Sequence, residues 1–125
     1  MTKKILIADD EPNIVISLEY LMKRQGYEVS VARDGQEALD MAESVLPDLI
    51  LLDVMMPHKN GFEVCQALRA QPRFAEVRIL MLTAKGRDTD IAKGMALGAN
   101  AYMTKPFATR DLVEKVHQLL GGAAA

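Results

Sequence analysis

Reactive side chains follow four of the five short apolar runs in this sequence. They are Asp9 and Asp10 after the first run, Asp53 after the third, Thr83 after the fourth and Lys105 after the fifth. Clustered carboxylates repel one another, and a proton or a metal ion must relieve the repulsion. An all-oxygen site suits Mg²⁺, which also takes phosphoryl oxygens. These residue types therefore predict Mg²⁺-assisted attack of an aspartate on phosphorus, with a hydroxyl and an ammonium group holding phosphoryl oxygens.

The apolar runs predict the strands that must position these groups. The first, third and fourth are unbroken, which is typical of parallel strands covered on both faces. The second alternates with polar residues and the fifth is short and mixed, so these two are expected at the edges of the sheet. The predicted strands are residues 5–8, 29–31, 49–52, 79–82 and 101–103.

Amphipathic patterns between the runs predict five helices. The first pattern ends near Gly26, the second before Pro47 and the third before Pro72, and the last has the cleanest apolar stripe. The fourth, residues 87–97, has a sparse stripe and a glycine that lowers its helix propensity. We expect it to be the least stable helix and the one that moves.

Strict alternation of strand and helix predicts parallel strands joined by right-handed crossovers. Five such units suit an α/β, flavodoxin-like doubly wound (βα)5 domain, with a five-stranded sheet in order 2-1-3-4-5 and helices on both faces. In this order the winding reverses between the first and third strands, where ligands bind beyond the carboxyl ends of the strands. The three aspartates are expected to converge at that point.

Each reactive residue also has an ordinary structural interpretation. The aspartate pair could cap the helix that follows, Asp53 could be a turn residue, Thr83 could cap a helix, and Lys105 could be a solvated surface charge. Four independent structural roles would then have to place reactive types at one edge of the sheet. The joint pattern therefore favours a functional site.

Composition restricts the class of protein. The chain has 125 residues, half of them apolar, and a formal net charge of −2. It has no basic run for nucleic acid, no apolar run long enough to span a bilayer, and no signal-peptide pattern. Cys65 is the single cysteine, which excludes a disulfide framework. We expect a cytoplasmic domain at residues 1–120, followed at 121–125 by a tail or the start of a linker.

Four segments carry motifs that are weak singly and specific as a set. They are residues 5–12 (ILIADDEP), 53–57 (DVMMP) with Gly61, 82–84 (LTA) and 98–107 (GANAYMTKPF). Together these segments resemble the response-regulator receiver family of two-component systems. The resemblance covers nearly the whole chain, from Lys4 to about Leu120.

The resemblance implies a role for each matching position in the metal site. Asp53 would be the phosphoacceptor, and Asp10 and Asp53 would hold Mg²⁺ directly. The backbone carbonyl of Met55 would add a ligand, and Asp9 would act mainly through water. Met55 and Lys85 occupy positions that tune loss of the phosphoryl group in the family. Because an apolar Met55 cannot position a water molecule, slow self-dephosphorylation is expected.

The resemblance also implies a switch. Lys105 would contact the phosphoryl group, and its bond to Pro106 would be cis. Phosphorylation would draw Thr83 inward and let Tyr102 turn from solvent toward the core. The surface of the fourth helix, fifth strand and fifth helix would then change between two states.

The implied partners are a sensor histidine kinase or phosphotransfer protein as donor and an output domain or target protein as receiver of the signal. Direct nucleic-acid contact and membrane binding by this domain are not expected. A phosphorylation-dependent dimer remains open. However, Asn100 and Ala101 stand where receivers that form a charged dimer usually have acidic residues, and this weakens the case for that dimer, although Arg110 is retained.

Three alternatives are weaker. A haloacid-dehalogenase-like phosphatase would have a second aspartate as general acid two residues after its nucleophile, where this chain has Met55. A degenerate receiver that only binds a partner would lack an acid, the hydroxyl or the lysine, and none is missing. A nucleotide-binding domain would carry a glycine-rich or Walker motif after the first strand.

Overall fold

A five-stranded parallel sheet with helices on both faces forms the fold. The structure is a computed structural model that describes residues 2–84 and 88–121. Its strands, in the order β2-β1-β3-β4-β5 predicted from the sequence, are β1 (Lys4–Ala8), β2 (Glu28–Ala32), β3 (Leu49–Asp53), β4 (Arg78–Ala84) and β5 (Ala101–Lys105). The helices are α1 (Pro12–Arg24), α2 (Gly35–Val45), α3 (Gly61–Arg69), α4 (Asp88–Ala96) and α5 (Thr109–Leu119), and a 3₁₀ helix spans Pro72–Phe74.

The strands are slightly longer than the sequence patterns predicted. Asp53 and Lys105 are the last residues of β3 and β5, and Thr83 is the penultimate residue of β4, so these three reactive residues lie within strands. Asp9 and Asp10 follow the end of β1. The 3₁₀ helix was not predicted, because Pro72 was interpreted only as a stop for α3. Pro72 is in fact the first residue of this turn, a position that does not need its missing N–H.

Alternate strand residues pack into two separate apolar cores. On one face, Leu6, Ile50 and Ile79 contact α2 and α3, and α4 packs there through Gly94, near the Met81 side chain. On the other face, the neighbouring strand residues pack against α1 and α5; they are Ile5, Ile7, Leu49, Leu51, Leu80 and Leu82. Cys65 is buried in the first core, as expected.

A hydrogen-bonded arginine ties α3 to the turn before β5. Arg69 donates from Nε to the Gly98 carbonyl (2.9 Å) and from a terminal nitrogen to Asn100 Oδ1 (2.8 Å). The same Asn100 oxygen accepts from the backbone N–H of Ile79 (2.8 Å). The amide at position 100 therefore serves inside the domain, as an acceptor shared by two donors.

The remaining expectations concern membrane spans, residues outside the described ranges and the motion of α4. No helix within residues 2–84 and 88–121 is long and apolar enough to cross a membrane. Lys85 and residues 122–125 of the expected tail lie outside the described residues. The predicted motion of α4 stays a prediction.

Candidate functional site

Three carboxylates converge at the carboxyl edge of the sheet, where the winding reverses. Asp9 and Asp10 follow β1, and Asp53 ends the neighbouring strand β3. Each offers a carboxylate oxygen, and these oxygens lie within 4.8 Å of one another. Asp9 is fully buried and Asp53 is 7% exposed, whereas Asp10 faces solvent. An all-oxygen group with an open side fits Mg²⁺, which keeps water ligands when bound by carboxylates.

Lys105, the last residue of edge strand β5, reaches this acidic cluster. Its Nζ donates to Asp9 Oδ2 at 3.0 Å and to Asp53 Oδ1 at 3.3 Å. The second oxygen of Asp9 accepts from the backbone N–H of Glu11 at 2.9 Å, so both Asp9 oxygens have protein partners. The Lys105–Pro106 peptide bond is cis, as the family resemblance implied.

The pKa values of the two central groups shift upward for different reasons. Burial and the nearby charge of Asp9 raise the pKa of Asp53 to about 6, although Lys105 and the backbone N–H of Met55 oppose the rise. Burial alone would lower the pKa of Lys105. The hydrogen bond to Asp9 and the charge of Asp53 outweigh it and raise that pKa. Lys105 is therefore charged at neutral pH, whereas the fold disfavours the charged form of Asp53 relative to its protonated form.

Metal-free protein is expected to lose stability as the pH rises from about 4 to about 6. The pKa of Asp53 is 3.8 in the unfolded chain and about 6 in the fold, so the folded state binds this proton more tightly. The stabilisation is complete below the lower value and lost above the higher one, a change on the order of 1–3 kcal/mol. Denaturant unfolding at a series of pH values, with a chelator to keep the protein metal-free, should show this change in the free energy of unfolding. Asp53→Asn should lack this pH-dependent change and be the more stable protein at neutral pH, and an unchanged profile in the variant would contradict the prediction.

The hydroxyl of Thr83 is buried without a hydrogen-bond partner. Thr83 is 1% exposed, and its Oγ1 is the one buried side-chain polar atom among the described residues that has no partner. A buried hydroxyl left unpaired costs about 1–3 kcal/mol. The preceding β4 residue, Leu82, pairs with Asp53, and the following one, Ala84, lines the cleft above the carboxylates. Thr83 itself does not line the cleft, so the structure leaves its hydroxyl buried next to the site and without a partner in the described part of the chain.

The cleft has a volume of about 320 Å³ and includes acidic residues that the sequence patterns did not single out. Glu11 lines it from the β1–α1 turn, and Asp90 lines it from α4. Glu11 could have been included because it follows the aspartate pair. Nothing in the sequence connects Asp90 to the site, since its position depends on how α4 packs.

A tight loop after β3 brings the chain back over Asp53. The Gly61 N–H donates to the Val54 carbonyl (2.9 Å), and a Cβ at Gly61 would overlap the Asp53 carbonyl oxygen. Asn60 then caps α3 in a reciprocal capping box with Glu63. The absence of a side chain at position 61 therefore lets α3 begin directly against the acceptor strand.

His58, within this loop, has a left-handed backbone conformation. Its φ is +67°, and the Lys59 N–H donates to the Pro57 carbonyl (2.8 Å), which closes a three-residue turn around it. A residue with a Cβ pays about 1–2 kcal/mol for this conformation.

Replacing His58 with glycine is therefore expected to stabilise the domain. The gain should be about 0.5–1 kcal/mol, because the greater freedom of glycine in the unfolded chain offsets part of the relief. Denaturant unfolding measures it, with His58→Ala as the control that removes the imidazole and keeps the strain. Equal stability of the glycine and alanine variants would show that the turn is not strained.

Of the other predicted site residues, Met55 lies at the cleft and Tyr102 lies outside it. Met55 lines it, with a side chain that is 64% exposed. Tyr102 does not line it. Its side chain, 44% exposed on β5, lines a separate groove of about 580 Å³ with residues of α4 and α5, among them Met95 and Lys115. The structure thus brings together Asp9, Asp10, Asp53, Met55 and Lys105, and leaves Tyr102 outside.

Comparison with protein-family models gives a match over residues 5–117 to the response regulator receiver domain. The chain belongs to this receiver family. The match includes β1 from its second residue, the other four strands in full, and all the acidic and basic residues of the cleft. The domain is thus the receiver of a response regulator, a signalling domain of two-component systems, and its fold is that of the family.

A curated relative is the alkaline phosphatase synthesis transcriptional regulatory protein PhoP of Bacillus subtilis (strain 168). It is 51% identical over 120 residues, which are 96% of this chain and 49% of the relative. The chain therefore spans about half the length of that protein.

Solved structures of receivers superimpose closely. A putative response regulator from Chloroflexus aurantiacus J-10-fl is 36% identical, with a TM-score of 0.93 over 97% of this chain and 99% of that one. The receiver domain of the sensor histidine kinase PA1611 from Pseudomonas aeruginosa PAO1 is 30% identical, with a TM-score of 0.88 over 97% and 99% of the two chains. That structure has a magnesium ion coordinated in its active site cleft.

Proposed function

We propose that Asp53 accepts a phosphoryl group from a sensor histidine kinase, a phosphotransfer protein or a small phosphodonor. The observation that carries the proposal is the convergence of three carboxylates, within 4.8 Å of one another, with the Lys105 ammonium bonded to two of them. The domain would catalyse its own phosphorylation and dephosphorylation and no other reaction.

The chemistry assigned to the residues follows from their positions. An Asp53 carboxylate oxygen attacks phosphorus, the bond from phosphorus to the donor atom breaks, and an aspartyl phosphate forms. Lys105, which already contacts Asp53 Oδ1, would neutralise a phosphoryl oxygen. The buried hydroxyl of Thr83 would donate to another phosphoryl oxygen and so gain the partner it lacks.

The acidic cluster is the proposed Mg²⁺ site. Asp10 and Asp53 would hold the ion directly, with the backbone carbonyl of Met55. Asp9 would act through water, since both of its oxygens already accept hydrogen bonds within the protein. The bound ion would neutralise charge on the carboxylates and on the phosphoryl oxygens. The magnesium ion in the cleft of the PA1611 receiver supports this assignment.

Thr83 and Tyr102 would form the switch that transmits phosphorylation. Tyr102 is exposed on β5, two strand residues before Thr104, which pairs with Thr83. Inward movement of Thr83 toward the phosphoryl group would leave room for Tyr102, and the α4–β5–α5 surface would change. An unchanged NMR environment of Tyr102 after phosphorylation would contradict this switch.

The signal would pass to an output domain or a separate target protein. The curated relative is a transcriptional regulatory protein about twice as long as this chain, which supports an output domain that binds DNA. This domain, at residues 1–120, would itself contact neither nucleic acid nor membrane, and residues 121–125 would be a tail or the start of a linker. Dimer formation would depend on phosphorylation.

Intact mass after incubation with acetyl phosphate tests the acceptor chemistry. We expect the chain to gain one phosphoryl group only with Mg²⁺, and the adduct to be stable in acid and labile in base. Asp53→Asn should gain nothing, whereas Asp40→Asn, which removes a carboxylate on exposed α2 surface, should behave as the wild type. A gain that persists in Asp53→Asn would assign the acceptor elsewhere. No gain by folded protein shown to bind Mg²⁺, from either acetyl phosphate or phosphoramidate, would overturn the proposal.

A further inference from the structure

Met55 places an oxidisable sulfur at the mouth of the acceptor cleft. Its side chain, 64% exposed, is the most exposed of the methionines that the structure describes, and it lines the same cleft as Asp53 and Lys105. Met22 and Met81 are buried in the two cores, at 0% and 1% exposure. Met95, 42% exposed, lines the separate groove beside Tyr102. Exposure therefore favours reaction of Met55 with a soluble oxidant.

We propose that Met55 is a site of reversible oxidation by peroxide and that its oxidation shortens the lifetime of the phosphoryl group on Asp53. The thioether sulfur takes one oxygen atom from hydrogen peroxide, and water is released. Sulfur is oxidised by two electrons and the peroxide is reduced. The product is methionine sulfoxide, a polar group. Methionine sulfoxide reductases convert it back to the thioether with two electrons from a dithiol, which becomes a disulfide, and the oxygen leaves as water.

The effect on lifetime follows from hydrogen-bonding capacity. A thioether is a weak acceptor, so Met55 cannot hold a water molecule next to the phosphoryl group. The sulfoxide oxygen is a strong acceptor on a side chain of the same length, and it can hold a water molecule for attack. In the hydrolysis, the water oxygen bonds to phosphorus and the bond to the Asp53 oxygen breaks. The Asp53 carboxylate is restored, and inorganic phosphate leaves with the protons of the water.

The expected acceleration is modest and measurable. One positioned hydrogen bond corresponds to roughly a two- to tenfold change in rate. The oxidation itself depends only on exposure, but its effect on lifetime rests on the proposed function of Asp53. The experiment must therefore report phosphoryl uptake, the site of oxidation and the lifetime separately.

The test begins with brief peroxide treatment and removal of the oxidant, followed by peptide mass spectrometry. Met55 should be oxidised well before Met22 and Met81. The oxidised and untreated proteins are then phosphorylated with acetyl phosphate and Mg²⁺, the donor is removed, and intact mass follows the loss of the group. Oxidised protein should lose the phosphoryl group roughly two- to tenfold faster. Treatment of the oxidised protein, before phosphorylation, with methionine sulfoxide reductases for both epimers and a dithiol reductant should restore the slower loss.

Three variants isolate the site. Met55→Leu should lose the group at the same rate before and after peroxide treatment, while Met95→Leu should respond as the wild type. Met55→Gln, which carries an amide oxygen at similar reach, should lose the group rapidly without peroxide.

Two results would overturn the inference and leave the proposed function intact. They are normal uptake with Met55 oxidised and an unchanged lifetime, or faster loss in peroxide-treated Met55→Leu. Failure of the untreated protein to take up a phosphoryl group would overturn both proposals.

Discussion

Replacing Lys105 with methionine is expected to slow phosphorylation of Asp53 by about 10²- to 10³-fold, the usual cost of removing one donor that stabilises a transition-state oxyanion. Within residues 2–84 and 88–121, Lys105 supplies the only cation bonded to the carboxylate cluster, at 3.0 Å from Asp9 and 3.3 Å from Asp53. Methionine keeps most of the length and apolar volume of the side chain and removes the charge. The time course of intact mass with acetyl phosphate and saturating Mg²⁺ measures the rate.

The loss of charge also has a structural effect that must be separated from the catalytic one. Without Lys105, the buried Asp9 carboxylate keeps, among the described residues, only its hydrogen bond from the Glu11 N–H, so some loss of stability is expected. Denaturant unfolding should show that the variant is folded under the assay conditions. Lys23→Met removes an exposed lysine paired with Glu19 on α1, and it should leave the rate unchanged. A Lys105→Met rate within threefold of the wild type would show that this ammonium group does not act in the transfer.

Replacing Gly61 with alanine is expected to destabilise the domain by about 3 kcal/mol or more. The added Cβ would overlap the Asp53 carbonyl oxygen and would lie 2.9 Å from the Val54 Cα. Both neighbours are backbone atoms at the end of a buried strand, so they cannot move aside as a flexible side chain can. The same displacement would move the Asp53 carboxylate relative to Lys105, and phosphorylation should slow even in the folded fraction.

Gly26→Ala provides a matched control. Gly26 has a positive φ of +90°, but a Cβ there would meet nothing within 4 Å. That variant carries backbone strain alone, which costs about 1–2 kcal/mol, and it should phosphorylate normally. Denaturant unfolding measures both variants under the same conditions. Equal losses in the two variants would show that the α3 end of the loop relaxes and does not hold Asp53 in place.

The fold could be predicted because its signals are local and repeated. Unbroken apolar runs such as residues 49–52 are typical of parallel strands covered on both faces, and the helical stripes between them favour crossover connections. The order of the strands then places Asp9, Asp10 and Asp53 together. The structure places the three carboxylates together there, and Lys105 bridges two of them, Asp9 and Asp53.

The features that could not be predicted depend on three-dimensional packing. Asp90 enters the cleft only because α4 packs through Gly94 against the sheet, and its sequence neighbourhood gives no indication of this. The missing partner of the Thr83 hydroxyl is a property of its surroundings and not of its residue type. The strained conformation of His58 could not be predicted either, because most histidines have a negative φ even though the residue is enriched at positive φ.

The two-faced burial of the central strands leaves their alignment weakly encoded by hydrophobicity. A strand with one solvent-exposed face resists a one-residue shift in register, because the shift would expose its apolar side chains. In β1, β3 and β4 both faces are apolar, so a strand shifted in register would still bury apolar side chains. Such a shift would instead misplace the polar residues at the ends of these strands. In the native register Asp53 lies beside Leu82, and Thr83 beside Thr104. Asp53 and Thr83, which we propose act in phosphoryl transfer, are therefore also the residues that a register shift would displace. We expect substitutions at these positions to affect both the site and the alignment of the sheet.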